Sequence, residues 1–253
     1  MAIASLGEIA AKKLQTSTTS KLTEQTTAGN KSYMAETVTR SEFKKSNRVS
    51  DIPLFKKISK VEDDEIDNRF KNSKIVNEKE KEFRKSFYNF CKNFEHIKGT
   101  GSGIYMSGDE GTGKTYYTNC IYHELCDKYV VYKTSLQALL DEEADNFKNP
   151  NVNKNFVLDR FERADLVIFD DLGNEMISDW MKQELYKFFS YLHKNRISFI
   201  INTNLNDDQL KDFMRINGSA KLFSRIRGRC KYYKFEWEDR RIDECKEIWE
   251  KYY

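Results

Sequence analysis

The sequence predicts an α/β fold: a five-stranded parallel sheet between layers of helices, preceded by a largely flexible N-terminal leader. Three observations point there. A glycine loop, Gly108-Asp109-Glu110-Gly111-Thr112-Gly113-Lys114-Thr115, stands between an apolar run and a helical pattern. A second apolar run, Leu166–Phe169, ends in tandem aspartates, Asp170 and Asp171. From Gly103 onward short apolar runs alternate with amphipathic stretches, the order expected of parallel strands covered on both faces.

Taken in order, Ile3, Leu6, Ala10 and Leu14 fall at helical spacing, enough for a short amphipathic helix. Residues 15–42 are rich in Thr and Ser, carry almost no large apolar side chains, and read as a linker. Phe83, Phe87, Phe90 and Phe94 mark one face of a charged helix between Asp64 and His96 and read as core. Ile104–Ser107 is the first strand of the sheet, and Thr115–Lys128 the helix after the loop. Tyr129–Lys133 is the next strand, followed by a helix over Leu136–Phe147 capped by Thr134 or Ser135. A helical stretch over Val152–Ala164 leads into the strand Leu166–Phe169. Ser178–Arg196 is a long amphipathic helix and Ile197–Ile201 a buried strand. Helices near Asp207–Met214 and Ser219–Arg227, a strand over Lys231–Trp237 and a helix over Glu238–Tyr253 complete the pattern. The domain division read from this is 1–50 for leader and linker and 51–253 for the folded core.

Composition narrows the function classes. With 39% apolar and 33% charged residues the chain can bury a core under a charged surface. The net charge of +3 does not by itself imply nucleic-acid binding. Its distribution is uneven, since residues 1–60 hold eleven Lys/Arg against five Asp/Glu. A basic leader of this kind attracts nucleic acid or an acidic protein face, or is simply a solvated tail. The five cysteines form no C-x-x-C pair and His96, His123 and His193 lie far apart, which argues against a zinc site and for a reducing compartment. No apolar run approaches the length of a membrane span, and no signal-peptide order is present, so no membrane role and a cytoplasmic location are expected.

The glycine loop matches G-x-x-x-x-G-K-[ST] at every fixed position. Glycines let backbone N–H groups turn inward around a phosphate, and the following helix offers its positive end. Gly108, Glu110, Gly111, Thr112, Gly113, Lys114, Thr115 and the adjacent Tyr116 are therefore the expected ATP-binding set. Lys114 would reach the β- and γ-phosphates, and the Thr115 hydroxyl would ligate Mg²⁺. Asp170, at the C-terminal edge of the sheet, would hold the same Mg²⁺ through water. Asp171 would polarise the attacking water as general base, although tandem aspartates also serve as turns or helix caps. Asn204, just past a strand end, reads as a polar γ-phosphate sensor or as a turn residue. Arg225, in Ser-Arg-Ile-Arg-Gly-Arg, reads as an arginine finger acting in trans on a neighbouring subunit's nucleotide. With Arg227 and Arg229 it could equally form a phosphate-binding patch or a solvated helix end.

Gly108–Thr115, Asp170-Asp171-Leu172-Gly173-Asn174-Glu175 and Ile200-Ile201-Asn202-Thr203-Asn204-Leu205 together resemble replicative-helicase loaders of the DnaC/DnaI type. Ser178-Asp179-Trp180 looks like the DnaI branch, Ile52-Pro53-Leu54-Phe55 like the element preceding the ATPase core, and the run from Arg225 through Phe235-Glu236-Trp237 to Arg241 like the DnaC end. The resemblance, over about residues 50–245, implies an AAA+ core whose helical lid is absent or reduced. It also implies Arg225 as finger and Arg241 as second nucleotide sensor, with Arg240 the alternative. It implies slow, assembly-dependent ATP hydrolysis, with a replicative DNA helicase and single-stranded DNA as partners. The leader, with Ile3, Leu6 and Leu14, is the expected helicase contact, and Lys148 and Lys154 in the segment Thr134–Phe161 are candidate DNA contacts. The zinc-binding N-terminal domain of DnaI-like loaders has no counterpart here, which leans the source towards a phage. The rival readings are an IstB-like transposition-helper ATPase on duplex DNA, a P-loop small-molecule kinase and a nucleotide-switched interaction protein. The kinase would need an acceptor pocket and an arginine-bearing lid, neither visible in the sequence.

Overall fold

The structure, a computed structural model, describes residues 20–27, 30–37, 48–148, 156–173 and 178–253. Contacts group the chain into two units, Met1–Ser50 and Asp51–Tyr253. In the first, β1 (Ser20–Thr27) pairs antiparallel with β2 (Asn30–Thr37), Ser20 opposite Thr37 and Thr27 opposite Asn30. This corrects the linker reading of that stretch. Its threonines are β-branched and suit a pleated strand, although Leu22, Tyr33 and Met34 are its only large apolar residues. The helix expected over Ile3–Leu14 lies outside the described residues, as do Lys154, Asn174 and Glu175.

The second unit is built on a five-stranded sheet: β3 (Gly103–Gly108), β4 (Val131–Ser135), β5 (Leu166–Asp170), β6 (Ser198–Thr203) and β7 (Cys230–Phe235). The spatial order is β4-β5-β6-β3-β7 and every pairing is parallel. Alternation sends Leu166 and Ile168 to one face, Val167 and Phe169 to the other, and each face meets its own apolar cluster. Because both faces are covered, the strands read as continuous apolar runs rather than alternating ones.

Before the sheet come α1 (Ile52–Ile58), which starts with proline in its first turn, α2 (Glu78–Lys92) and the single turn α3 (Phe94–Ile97). Phe87 and Phe94 are fully buried, and Phe87 stacks among Tyr117, Tyr233 and Phe235. The aromatic stripe thus covers one face of the sheet, although the helix breaks at Asn93 between Phe90 and Phe94. On that face also lies α4 (Lys114–Leu125), which starts inside the glycine loop. The other face carries α5 (Leu136–Lys148), α6 (Phe156–Arg163), α7 (Asp179–Lys194), α8 (Asp207–Phe213) and α9 (Lys221–Arg229). Of the two candidate caps, Ser135 is the one used: its Oγ accepts from Ala138 N at 3.2 Å. The second strand starts two residues later than the sequence predicts, because Tyr129 N still closes on Leu125 O and Val130 N is held by the Asp165 carboxylate at 3.0 Å. One helix, α10 (Arg240–Tyr252), follows β7.

Candidate nucleotide site

The glycine loop joins β3 to α4 at the C-terminal edge of the sheet, and the junction of β7 with α10 braces it from behind. Trp237 Nε1 donates to Thr112 O at 2.8 Å and Arg240 N to Gly111 O at 3.2 Å. Gly111 has φ +71°, and a Cβ there would lie 1.7 Å from Asp239 Oδ1, so both backbone and packing require glycine. Thr112 Oγ1 ties the loop to itself through Asp109 O at 2.8 Å. Lys114 is buried and its ammonium donates to Gly108 O and Asp109 O at 2.8 and 2.7 Å. Burial holds its pKa below the usual lysine value, against the opposing pull of Asp171, Glu110 and Asp109.

The tandem aspartates are positioned by the neighbouring strand. Asn202, fully buried on β6, donates Nδ2 to Asp170 Oδ1, and its Oδ1 accepts from Asp171 N at 2.7 Å. Leu172 N donates to Asn202 O at 3.0 Å and Thr203 Oγ1 donates to Leu172 O at 2.5 Å. This bonding holds Asp171 at φ +52°, a left-handed conformation unusual outside glycine. Gly173 follows at φ +102°, where a Cβ would lie 2.4 Å from Leu205 Cδ1. The Asp-Asp-Leu-Gly and Asn-Thr-Asn-Leu motifs are therefore two halves of one turn assembly.

Thr115 Oγ1 lies 3.3 Å from Asp170 Oδ1, so the two expected Mg²⁺ ligands share one position. The remaining oxygen, Asp170 Oδ2, pairs with Lys133 Nζ at 2.8 Å. Lys133 is itself buried and pairs also with Glu65 Oε2 at 2.9 Å. Burial alone would lower the lysine's pKa, but the Asp170 and Glu65 carboxylates outweigh it and raise it. Asp171 is shifted up, first by desolvation and then by the Asp170 charge. Of the two aspartates, Asp171 is the one that lines the adjoining cavity.

That cavity, about 660 Å³, is lined by Glu110, Gly111, Gly113, Lys114, Thr115, Tyr116, Asp171 and Asn204. Asn72, Lys74, Val76, Arg240 and Arg241 complete its wall. Asn204 donates to Glu110 Oε1 at 3.2 Å. Both candidate second sensors reach the cavity, in different states. Arg240 donates to Lys74 O at 3.0 Å and pairs with Glu80, a fully buried carboxylate that also accepts from Val76 N at 2.8 Å and Tyr117 OH at 2.7 Å. Arg241 is exposed and held by Asp239 at 2.7 Å. Arg225 does not line this cavity; it lies on α9, donating to Ser190 Oγ at 3.0 Å.

Four residues that position the site carry no role in the sequence reading: Lys133, Glu65, Glu80 and Asn202, the last present there only as part of the Ile200–Leu205 motif. Lys133 carries a visible signal, a lone charge directly after the apolar run Val130-Val131-Tyr132. Glu80 falls seven residues before Phe87, on the same helical face as the aromatic stripe. No group of three or more His, Cys, Asp or Glu suited to a metal occurs among the described residues, so the metal position rests on the Thr115–Asp170 pair.

Comparison with known proteins agrees with this geometry. An RNA helicase family profile matches residues 104–198, the stretch from β3 to the start of β6. The replicative helicase loader DnaI of Bacillus subtilis (strain 168) is 24% identical over 125 residues, 48% of this chain. The match spans 39% of that relative's length. Among solved structures, the DnaC helicase loader superposes with a TM-score of 0.61 at 18% identity, over 69% of this chain and all of the other. DnaI superposes at 0.59 and 17% identity, over 77% of this chain and 99% of the other. The replication initiator DnaA bound to AMPPCP and single-stranded DNA superposes at 0.56 and 20% identity, covering 68% and 51%. No described helix is long and apolar enough to cross a membrane. The chain thus resembles DnaC/DnaI-type loaders in sequence over 125 residues and shares its fold with the DnaC, DnaI and DnaA structures.

Proposed function

We propose that this protein is an ATP-dependent helicase loader: it binds a replicative DNA helicase and helps place it on single-stranded DNA. The observation that carries the reading is the gathering of the phosphate loop, Thr115 and Asp171 around one cavity, with Asp170 3.3 Å behind Thr115 Oγ1, on the fold of the DnaC and DnaI loaders.

The residues fit MgATP. Bound there, it would supply the cleavable phosphoanhydride and a divalent charge that stabilises the leaving phosphate. The loop N–H groups and Lys114 would hold the phosphates, and Thr115 and Asp170 the metal. Asp171, facing the cavity, would take a proton from the attacking water, and Asn204 would orient the terminal phosphate. Val76 and Tyr116 would offer apolar contact for the base, with Arg240 behind them, and Arg241 would exchange its exposed pair with Asp239 for the phosphate. Arg225, away from its own cavity, would act on the nucleotide of an adjacent copy, which makes hydrolysis depend on assembly. Residues 1–50 would dock the helicase.

The direct test is binding of a fluorescent ATP analogue with Mg²⁺. Wild type binds, and Lys114→Ala loses the bulk of its affinity. Equal, tight binding by both would overturn the site. Assembly on duplex DNA with no affinity for helicase would favour the transposition-helper reading instead.

A further inference from the structure

Both oxygens of Asp170 are occupied by the chain's own donors. Oδ1 takes Asn202 Nδ2 and lies 3.3 Å from Thr115 Oγ1, and Oδ2 takes the buried ammonium of Lys133 at 2.8 Å. Lys133 is in turn balanced by Glu65, which also accepts from Glu62 N at 3.0 Å and so fixes the segment before the core against β4. Asp170 is thus neutralised by Lys133, whose ammonium it shares with Glu65, and Asp171 lies in the field of both Lys114 and Lys133. A divalent cation arriving alone would find both oxygens of Asp170 taken and the Asp171 charge opposed by Lys114, so neither an open Asp170 oxygen nor a full uncompensated charge. A hard cation such as Mg²⁺, which sheds its water reluctantly, needs both.

We propose that Lys133 is a positioning residue that stands in for the metal: its ammonium holds Asp170 in place and keeps Mg²⁺ from binding except together with a nucleotide. A phosphate chain brings the missing negative charge and engages Lys114, so that metal and nucleotide enter as one unit. The inference rests on the nucleotide-site reading and adds to it an order of binding. It also explains why a strand buried on both faces carries a lysine. Removing one partner of such a buried pair leaves an uncompensated charge, which a metal ion could then neutralise.

The test is the melting temperature of the nucleotide-free full-length protein titrated with MgCl₂ at constant ionic strength. Wild type and Lys133→Arg are expected to show no saturable shift. Lys133→Met is expected to gain one, about 4 °C at a tenfold excess of Mg²⁺ over its Kd. If Lys133→Met does not fold, Lys133→Met/Glu65→Gln removes the stranded buried charge and keeps Asp170 open, with the same expected gain. A saturable Mg²⁺ shift in wild type overturns the proposal, as does a folded Lys133→Met or double variant that ignores Mg²⁺. The analogue-binding assay run beside it separates the two readings. Failure of wild type to bind MgATP refutes the nucleotide site itself, whereas normal binding with an Mg²⁺-blind Lys133 variant refutes only the role of Lys133.

Discussion

Asn202→Ala is the substitution that most directly tests how the tandem aspartates are held. The side chain is fully buried and makes two short hydrogen bonds, one to the Asp170 carboxylate and one from Asp171 N at 2.7 Å, beside a long contact to Thr118 Oγ1 at 3.5 Å. The bond to a charged group is worth about 2 kcal/mol and the neutral one about 1, so the loss is about 3 kcal/mol. For a folded unit of this size that corresponds to a fall in melting temperature of about 9 °C. Urea unfolding followed by circular dichroism measures the free energy, and a thermal scan the temperature. Asn202→Asp refines the test, because it keeps an acceptor for Asp171 N but sets a second carboxylate against Asp170. It should be at least as destabilising at pH 7 and recover in part on acidification. A loss below about 1 kcal/mol for Asn202→Ala would show that the Asp171 turn stands without its neighbour, and the argument for a joint assembly would fail.

Three further outcomes follow from the same geometry. Gly173→Ala should cost about 2 kcal/mol, since it combines a positive φ with a Cβ pressed on Leu205, and Leu205→Ala in the same chain should recover only the packing part; full recovery in urea titrations would contradict the backbone argument. His123 has a depressed pKa, first because it is partly buried and despite its bond to Glu65 O, so its contribution is complete above pH 6.5 and is lost as pH falls through the folded-state value. The urea midpoint should therefore drop between pH 7.5 and 5.5, and by less in His123→Gln; equal drops would remove His123 from the account. Arg225→Ala should leave analogue binding unchanged while abolishing assembly-dependent hydrolysis, and unchanged turnover in the assembled state would refute its action in trans.

Much of this was legible in the sequence because the signals are local. The phosphate loop needs glycines at fixed positions, and a parallel sheet needs apolar runs, so both can be read along the chain. The features that escaped depend on contacts across the fold. Lys133 looks out of place in its strand until Glu65, 68 residues earlier, and Asp170 close around it. Asn202 and Asn204 are indistinguishable as residue types at a strand end. Only the register of β6 against β5, with Phe169 opposite Ile201, puts Asn202 beside Asp170 and leaves Asn204 at the cavity wall. The hairpin of β1 and β2 was missed for a different reason. Its pattern is polar on both sides, and periodicity in apolar residues, the main strand signal, is absent there.

The loader reading stands or falls on a physical complex. Full-length protein, a hexameric replicative helicase and ATP would be mixed and separated by size-exclusion chromatography with light scattering, with and without single-stranded DNA. The account predicts co-elution in a complex heavier than the helicase alone, weakened by Lys114→Ala and retained by Arg225→Ala. Separate elution of the two proteins under every nucleotide condition, from a preparation that binds MgATP, would contradict it.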